Sequence, residues 1–296
     1  GLPWITRFVT MPPRPGLVET LRLALRLRPF ARDLAILFPH SVRAALLACL
    51  AGARRRVGYD RDGRGFLLTG RIAPYRENGQ IQPIYMATEY VNLLIGLGCE
   101  DDGAGLELRA SPEAVAAIAA LFTKSGPRIG IAPGAAFGPS KMWPAKRYAR
   151  VADNMIEHVG AQCLLLTGPG EEKVRDAVLA AVKHPLIRYD NETSGIERLK
   201  AAISQLDLLI GNDSGTRHIA VAFHVPTVCI MGPTSPRYSE GPYERGRVLR
   251  VDVDCGPCQK GICETDHRCM NRISVDWVTD TALDVLRQFP TTRPLS

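Results

Sequence analysis

The chain has 296 residues, 46% of them hydrophobic and 23% charged, which is enough apolar material for two buried cores and excludes an intrinsically disordered chain. The 37 Lys and Arg against 30 Asp and Glu leave a formal charge of +7, which favours anionic partners without naming one. Apolar stretches such as 44–51 fall far short of the roughly 20 residues that a membrane-spanning helix needs.

The opening Gly1-Leu2-Pro3-Trp4 has neither a start methionine nor the basic-then-apolar order of a signal peptide, so the sequence reads as beginning inside a longer protein. A Leu/Arg helix is predicted around 17–28, an apolar strand at 33–38 and an apolar helix at 42–50. Ala53 to Tyr59 turns back towards a strand, and Arg61-Asp62-Gly63-Arg64-Gly65 reads as a basic turn. A helix at 85–96 then runs into the Gly/Asp-rich break 98–105. A domain boundary is placed near residue 108, giving domains 1–108 and 109–296.

Beyond that break Ser111 caps a helix and Pro112 occupies its first turn, leading an Ala-rich stretch to Phe122. Strands are predicted at 128–132, 162–167, 206–211, 227–231 and 248–251, with helices at 145–159, 172–182, 195–203 and 217–223 between them. Such alternation predicts an α/β domain with a parallel sheet covered on both faces. Ligands of such sheets sit outside the carboxyl ends of the strands, so the strand-to-helix loops are where chemistry is sought.

Three loops stand out. Asn212-Asp213-Ser214-Gly215-Thr216-Arg217-His218 follows an apolar strand and opens a helix, an arrangement that presents backbone N–H groups to an anion. Gly215 allows close approach, Ser214 offers a hydroxyl, and His218 lies one turn on. N-capping by Asn212 or Asp213, with an incidental histidine, is the simpler alternative. The loop 133–144 carries Gly134 and Gly138 ahead of Lys141 and Trp143-Pro144. Lys141 is either a point charge for phosphate or a surface lysine beside a hydrophobic staple. Gly168-Pro169-Gly170-Glu171-Glu172 places two carboxylates within reach of sugar hydroxyls, or simply at a helix N-terminus that favours acids. This third loop matches neither a dinucleotide fingerprint nor a Walker A sequence.

Pro133-Gly134-Ala135, Phe137-Gly138-Pro139, Lys141 and Trp143-Pro144, with Asn212-Asp213-Ser214-Gly215, His218 and Gly232-Pro233-Thr234-Ser235-Pro236, together resemble the two signatures of the ADP-heptose:lipopolysaccharide heptosyltransferases, within them the heptosyltransferase II branch. Phe38-Pro39-His40-Ser41 and Val57-Gly58-Tyr59 extend the resemblance towards the N-terminus. The resemblance implies a GT-B glycosyltransferase of two Rossmann-like domains with parallel sheets, the N-terminal one incomplete. It further implies inverting, metal-independent transfer of L-glycero-D-manno-heptose from ADP-heptose to the lipopolysaccharide inner core, in the cytoplasm or at the inner face of the inner membrane. Donor-binding positions carried over are Gly134, Lys141, Glu171 or Glu172, Asp213, Ser214, Gly215 and His218, with Lys141 stabilising the diphosphate leaving group. The family's usual base, an aspartate in the first strand-to-helix loop, has no counterpart here, so the chain as it stands is expected to be less than fully active. Neither Asp33 nor Asp60 sits in a matching motif, and no base is assigned.

Anionic lipid A sugars suit the Arg54-Arg55-Arg56 run with Arg61 and Arg64, although solvated surface arginines are the simpler reading. An ADP-sugar transferase with another acceptor shares every donor-side feature.

Cys255, Cys258, Cys263 and Cys269 form a C-x2-C-x4-C-x5-C run in segment 255–269, with His267 beside them. Four close thiols suggest a tetrahedral structural zinc, with an iron–sulfur site, disulfides or reduced neighbours as the alternatives. Cys49, Cys99, Cys163 and Cys229 stand singly in apolar contexts and read as buried. A zinc-containing nucleic-acid-binding module is a further reading, but no basic recognition helix flanks the cysteines and no nucleic acid partner is expected.

Overall fold

A computed structural model describes residues 5–11, 16–188 and 195–290; the opening residues 1–4 lie outside them. The chain separates into two compact units, Gly1–Gly103 and Ala104–Ser296.

The first unit is built on a three-stranded parallel sheet, β1 (Leu34–Leu37), β2 (Arg55–Tyr59) and β3 (Gly70–Ile72), ordered β1-β2-β3. Helices α1 (Leu17–Leu27), α2 (Val42–Leu50) and α3 (Met86–Ile95) accompany it, and a short antiparallel hairpin pairs β4 (Arg76–Glu77) with β5 (Gln80–Ile81). Ser41 caps α2 through Ala44 N–H, and Leu37, Ala45, Ala48 and Leu68 close a small core.

The second unit opens with α4 (Pro112–Ala119), capped by Ser111 as its sequence predicts. Its sheet contains β6 (Arg128–Ala132), β7 (Gln162–Leu165), β8 (Ile187–Arg188), β9 (Leu208–Asn212), β10 (Thr227–Ile230) and β11 (Gly246–Leu249). The six strands are parallel, in the order β11-β10-β9-β6-β7-β8. Helices α5 (Ala145–Val159), α6 (Glu172–Leu179), α7 (Gly195–Ser204) and α8 (Gly215–Ala222) connect them, followed by the short α9 (Pro236–Ser239) and α10 (Arg268–Asn271) and by α11 (Val275–Gln288).

Strand periodicity sorts the core. Ile129, Ile131, Cys163, Leu165, Leu208 and Ile210 face α5 and α11, whereas Leu164, Leu166 and Leu209 face α4, α7 and α8. The sequence reading passed over β3, the hairpin, β8 and α11. In α11 the signal was present: Ser274 caps the helix, and Val275, Val278, Ala282 and Val285 are buried at helical spacing. Predicted strand 248–251 lies two residues early, at Gly246–Leu249, since β11 starts where Thr227 of β10 pairs with Gly246.

Two of the four single cysteines depart from the buried reading. Cys163 and Cys229 are 2% exposed, but Cys49 is half-buried and Cys99 is exposed, because Cys99 follows the left-handed Gly98 in the turn after α3. Among the described residues no helix is long and apolar enough to cross a membrane.

Candidate functional site

The chain runs from β6 outward to β7 and β8, then returns to the other side of β6 to lay down β9, β10 and β11. The reversal lies between β6 and β9, and at such a switch point the two following loops part to leave a crevice at the carboxyl edge. Those loops are 133–144 and 213–214, which carry Lys141 and Asp213.

Asn212, the last residue of β9 and 1% exposed, stitches the two sides together. Its Nδ2 donates to the carbonyls of Pro133 at 2.7 Å and Gly134 at 3.3 Å, and its Oδ1 accepts from Tyr148 OH at 2.8 Å and Trp143 N–H at 3.3 Å. Trp143 is buried and anchors the loop by donating from its indole to Ile273 O at 3.1 Å. These bonds anchor the end of the loop that follows Lys141.

Lys141 Nζ donates to Asp213 Oδ2 at 2.7 Å and to the Asp213 carbonyl at 3.0 Å, and lies 5.0 Å from the centre of the exposed Phe137 ring. Thr234 Oγ1 donates to the same Oδ2 at 2.9 Å, while Arg217 Nη1 donates to Oδ1 at 3.0 Å. Arg217 is 2% exposed and makes a two-bond fork with Glu244, at 2.7 and 2.6 Å, and Thr227 Oγ1 also donates to Glu244 at 2.7 Å. Burial pushes the Asp213 carboxyl up, but the Lys141 bond and charge, Arg217 and Thr234 outweigh it and hold it down at about 2. Asp213 is thus an ionised anchor that orients Lys141.

Neither Asn212 nor Asp213 caps α8. Ser214 occupies the cap position without a side-chain cap bond, its hydroxyl pairing with Thr216 Oγ1 at 2.9 Å. The first turn of α8 therefore has no side-chain cap from Ser214; Arg217 N–H bonds back to Ser214 O at 3.1 Å, and Gly215 is exposed beside Lys141's anchor. His218 is half-buried, and burial, then the Arg217 charge, lowers its pKa below the ordinary value. At neutral pH it offers a hydrogen bond, and the positive charge of the site rests on Lys141 and the helix terminus.

The two carboxylates of the third loop differ. Glu171 accepts from Gly168 N–H at 2.7 Å and lies so close to Gly134 that any Cβ there would collide with its carboxylate. Glu172 is exposed and accepts from Gly170 N–H at 3.0 Å. Glu171 therefore faces the loop that carries Lys141, and Glu172 faces solvent. Arg217, Thr234 and Glu244 were not singled out from sequence; the spacing of Asp213 and Arg217, four apart at a helix start, was a readable sign of their pairing.

The first unit has its own charged cluster at the carboxyl ends of β1 and β2. Glu89 is 5% exposed, with His40 Nε2 at 3.3 Å and Arg61 Nη1 at 3.5 Å. Arg64 is fully buried; it donates to Tyr59 O at 3.0 Å and to Pro39 O, while its Nη2 has no acceptor. The solvated reading fails for Arg64, because its guanidinium ties together two loop carbonyls. It holds for Arg54 and Arg55, which are exposed.

The four clustered thiols line one cavity together with Ser140, Lys260 and His267. Cys255 and Cys258 are exposed, Cys263 is intermediate and Cys269 is buried. His267 Nε2 is engaged with Ser140 O at 2.6 Å. The segment's own helix, α10, spans only Arg268–Asn271, too short to serve as a groove-reading helix.

The parallel sheet, with Lys141 and the start of α8 at its switch point, is an α/β fold of the GT-B glycosyltransferase type. The chain belongs to glycosyltransferase family 9 (heptosyltransferase), whose profile matches residues 20–268. It is 27% identical over 275 residues to lipopolysaccharide heptosyltransferase 2 of Escherichia coli K12, covering 88% of this chain and 78% of that protein. The crystal structure of a family 9 glycosyl transferase from Veillonella parvula DSM 2008 is similar with a TM-score of 0.75 at 24% identity, over 92% of this chain and 79% of that one. The E. coli ADP-heptose lps heptosyltransferase II structure gives 0.73 at 24% identity, over 92% and 82%.

Proposed function

We propose that this glycosyltransferase moves a heptose from ADP-heptose to the inner core of lipopolysaccharide, with inversion at the anomeric carbon and without a metal ion in the transfer step. The observation that carries the reading is the Lys141–Asp213 pair set beside the uncapped start of α8 at the switch point. Breaking a glycosyl–diphosphate bond builds negative charge on the leaving phosphate, and fixed donors aimed there lower the barrier. Lys141, held by Asp213 and Thr234, supplies the charge, and the N–H groups at Ser214 and Gly215 supply neutral donors. His218 adds a neutral hydrogen bond. Glu171, against Gly134, is better placed than Glu172 to accept from the ribose.

On the acceptor side, Arg61 and His40 are the groups available to an anionic core sugar, with Arg64 positioning their loops. A lipopolysaccharide core acceptor supports action in the cytoplasm, at the inner face of the inner membrane. A transferase using the same donor on a different acceptor is the outcome if donor binding holds and transfer to lipopolysaccharide core fails.

Thermal-shift titration with ADP, ADP-heptose, UDP and GDP tests the donor assignment. The adenosine ligands are expected to raise Tm selectively, and Lys141→Ala to abolish the shift while keeping the ligand-free Tm within a few degrees. Preference for UDP or GDP, or an ADP shift unchanged in Lys141→Ala, overturns it.

A further inference from the structure

We infer that the cavity lined by Cys255, Cys258, Cys263 and Cys269 is a site for one thiophilic divalent ion, and that this ion fixes the platform on which Lys141 and Thr234 stand. This coupling acts through the geometry of the Lys141 loop and does not depend on the donor being ADP-heptose.

The cavity is a sulfur site by composition. Four thiols reach it from a 15-residue segment, and its only other ionisable lining groups are Lys260, Glu264 and His267. Thr265 Oγ1 lies 4.0 Å from Cys255 Sγ and 3.5 Å from Cys263 Sγ, so these two sulfurs flank one hydroxyl. Among the described residues no three His, Cys, Asp or Glu side chains already surround one point. Closure therefore requires the exposed Cys255 and Cys258 and the half-buried Cys263 to rotate onto Cys269, which is fixed in the core by α10. Each coordinating thiol gives its proton to solvent, and tetrathiolate coordination of zinc leaves a net charge of −2 that Lys260 and Arg268 are near enough to moderate.

The segment grips the Lys141 loop through every polar group of Ser140, which is 2% exposed. Ser140 N–H donates to Gly261 O at 3.1 Å, Ser140 Oγ donates to Lys260 O at 2.6 Å, and Ser140 O accepts from His267 Nε2 at 2.6 Å. Gly138, at φ 146°, abuts the Gly261 carbonyl where no Cβ fits. The second grip is on the loop after β10: Gln259 N–H donates to Pro233 O at 2.9 Å, and Cys269 Sγ would lie 2.9 Å from a Cβ on Gly232. Lys141 follows Ser140 and Thr234 follows Pro233, and both donate to the same Asp213 oxygen. Every bond of the two grips comes from residues 259–269, the stretch that the four sulfurs bracket. An ion drawing the sulfurs together removes the freedom of that stretch, and with it that of the two donors on Asp213 Oδ2.

The test uses the full chain, reduced and freed of metal by a chelator under anaerobic conditions, with cobalt(II) as the probe. One equivalent is expected to produce the sulfur-to-cobalt charge-transfer absorption of a tetrathiolate, to be displaced by zinc, and to lose most of its intensity in Cys258→Ser, a change at an exposed position that leaves the core intact. Hydrogen exchange by mass spectrometry is expected to slow at least tenfold, on metal addition, in the peptide containing Ser140. A reduced chain that shows no charge-transfer band overturns the site. A band without slower exchange around Ser140 overturns the platform role. No nucleotide enters either readout, so failure of ADP to bind would strike the donor assignment and leave this result standing.

Discussion

The two units handle buried charge in opposite ways. At the switch point of the second unit, Lys141, Arg217, Asp213 and Glu244 sum to zero, and Asp213 and Glu244 each accept from more than one donor. In the first unit one carboxylate, Glu89, faces His40 and Arg61 at the long end of pairing distance, while Arg61 Nε and Arg64 Nη2 are buried without an acceptor. Buried donors left unmet are costly, so a cluster that keeps them is suited to an anion that arrives from outside. The closed cluster fixes a geometry; the open one leaves buried donors unmet.

That contrast can be broken most directly at Arg217. Arg217→Ala strands two buried carboxylates, and a loss of about 3–5 kcal/mol is expected in urea unfolding of the second unit. A loss below about 1 kcal/mol would show that the network is not what holds the site. Acid titration sharpens the same point with a smaller effect. Asp213, drawn from its ordinary 3.8 to about 2, contributes about 2 kcal/mol that is complete above the ordinary value and is lost as pH falls towards 2. In Lys141→Met that acid-side loss should shrink and begin nearer the ordinary carboxyl range, which a series of unfolding curves between pH 5 and pH 2 would reveal. The smallest expected stability effect lies in the open cluster. Arg61→Gln removes a partly exposed, loosely paired charge and should change stability by no more than about 0.5 kcal/mol. If the cluster holds an acceptor's acid, the same variant raises the acceptor KM severalfold and leaves the donor KM unchanged; equal shifts in both would remove the distinction between the units.

Much of the second unit was legible in the letters. The apolar runs of β6, β9 and β10 and the helices between them follow from periodicity, and Ser111-Pro112 marks the start of α4. Lys141, Asp213 and Ser214 were readable because unusual polar residues at the ends of apolar strands point to chemistry. Glu171 and Glu172 could not be separated, since a one-residue step rotates a side chain by about 100° at a helix start and only packing against Gly134 decides which carboxylate turns inward. Arg64 looked like a solvated arginine in a glycine-rich turn. Its burial depends on carbonyls of Pro39 and Tyr59, brought together only when β1 and β2 pair.

The sequence by itself determined the alternation of strand and helix, the family, and the residue types at the strand ends, because these depend on local periodicity and on side-chain chemistry. Strand order, and hence the crevice between β6 and β9, was decided by tertiary structure alone. So was the partnership of Lys141 with Asp213, 72 residues apart, and of Arg217 with Glu244. The physical reason is that a buried ion pair is worth its desolvation only when both partners are fixed at hydrogen-bonding distance, and that distance is set by the sheet register.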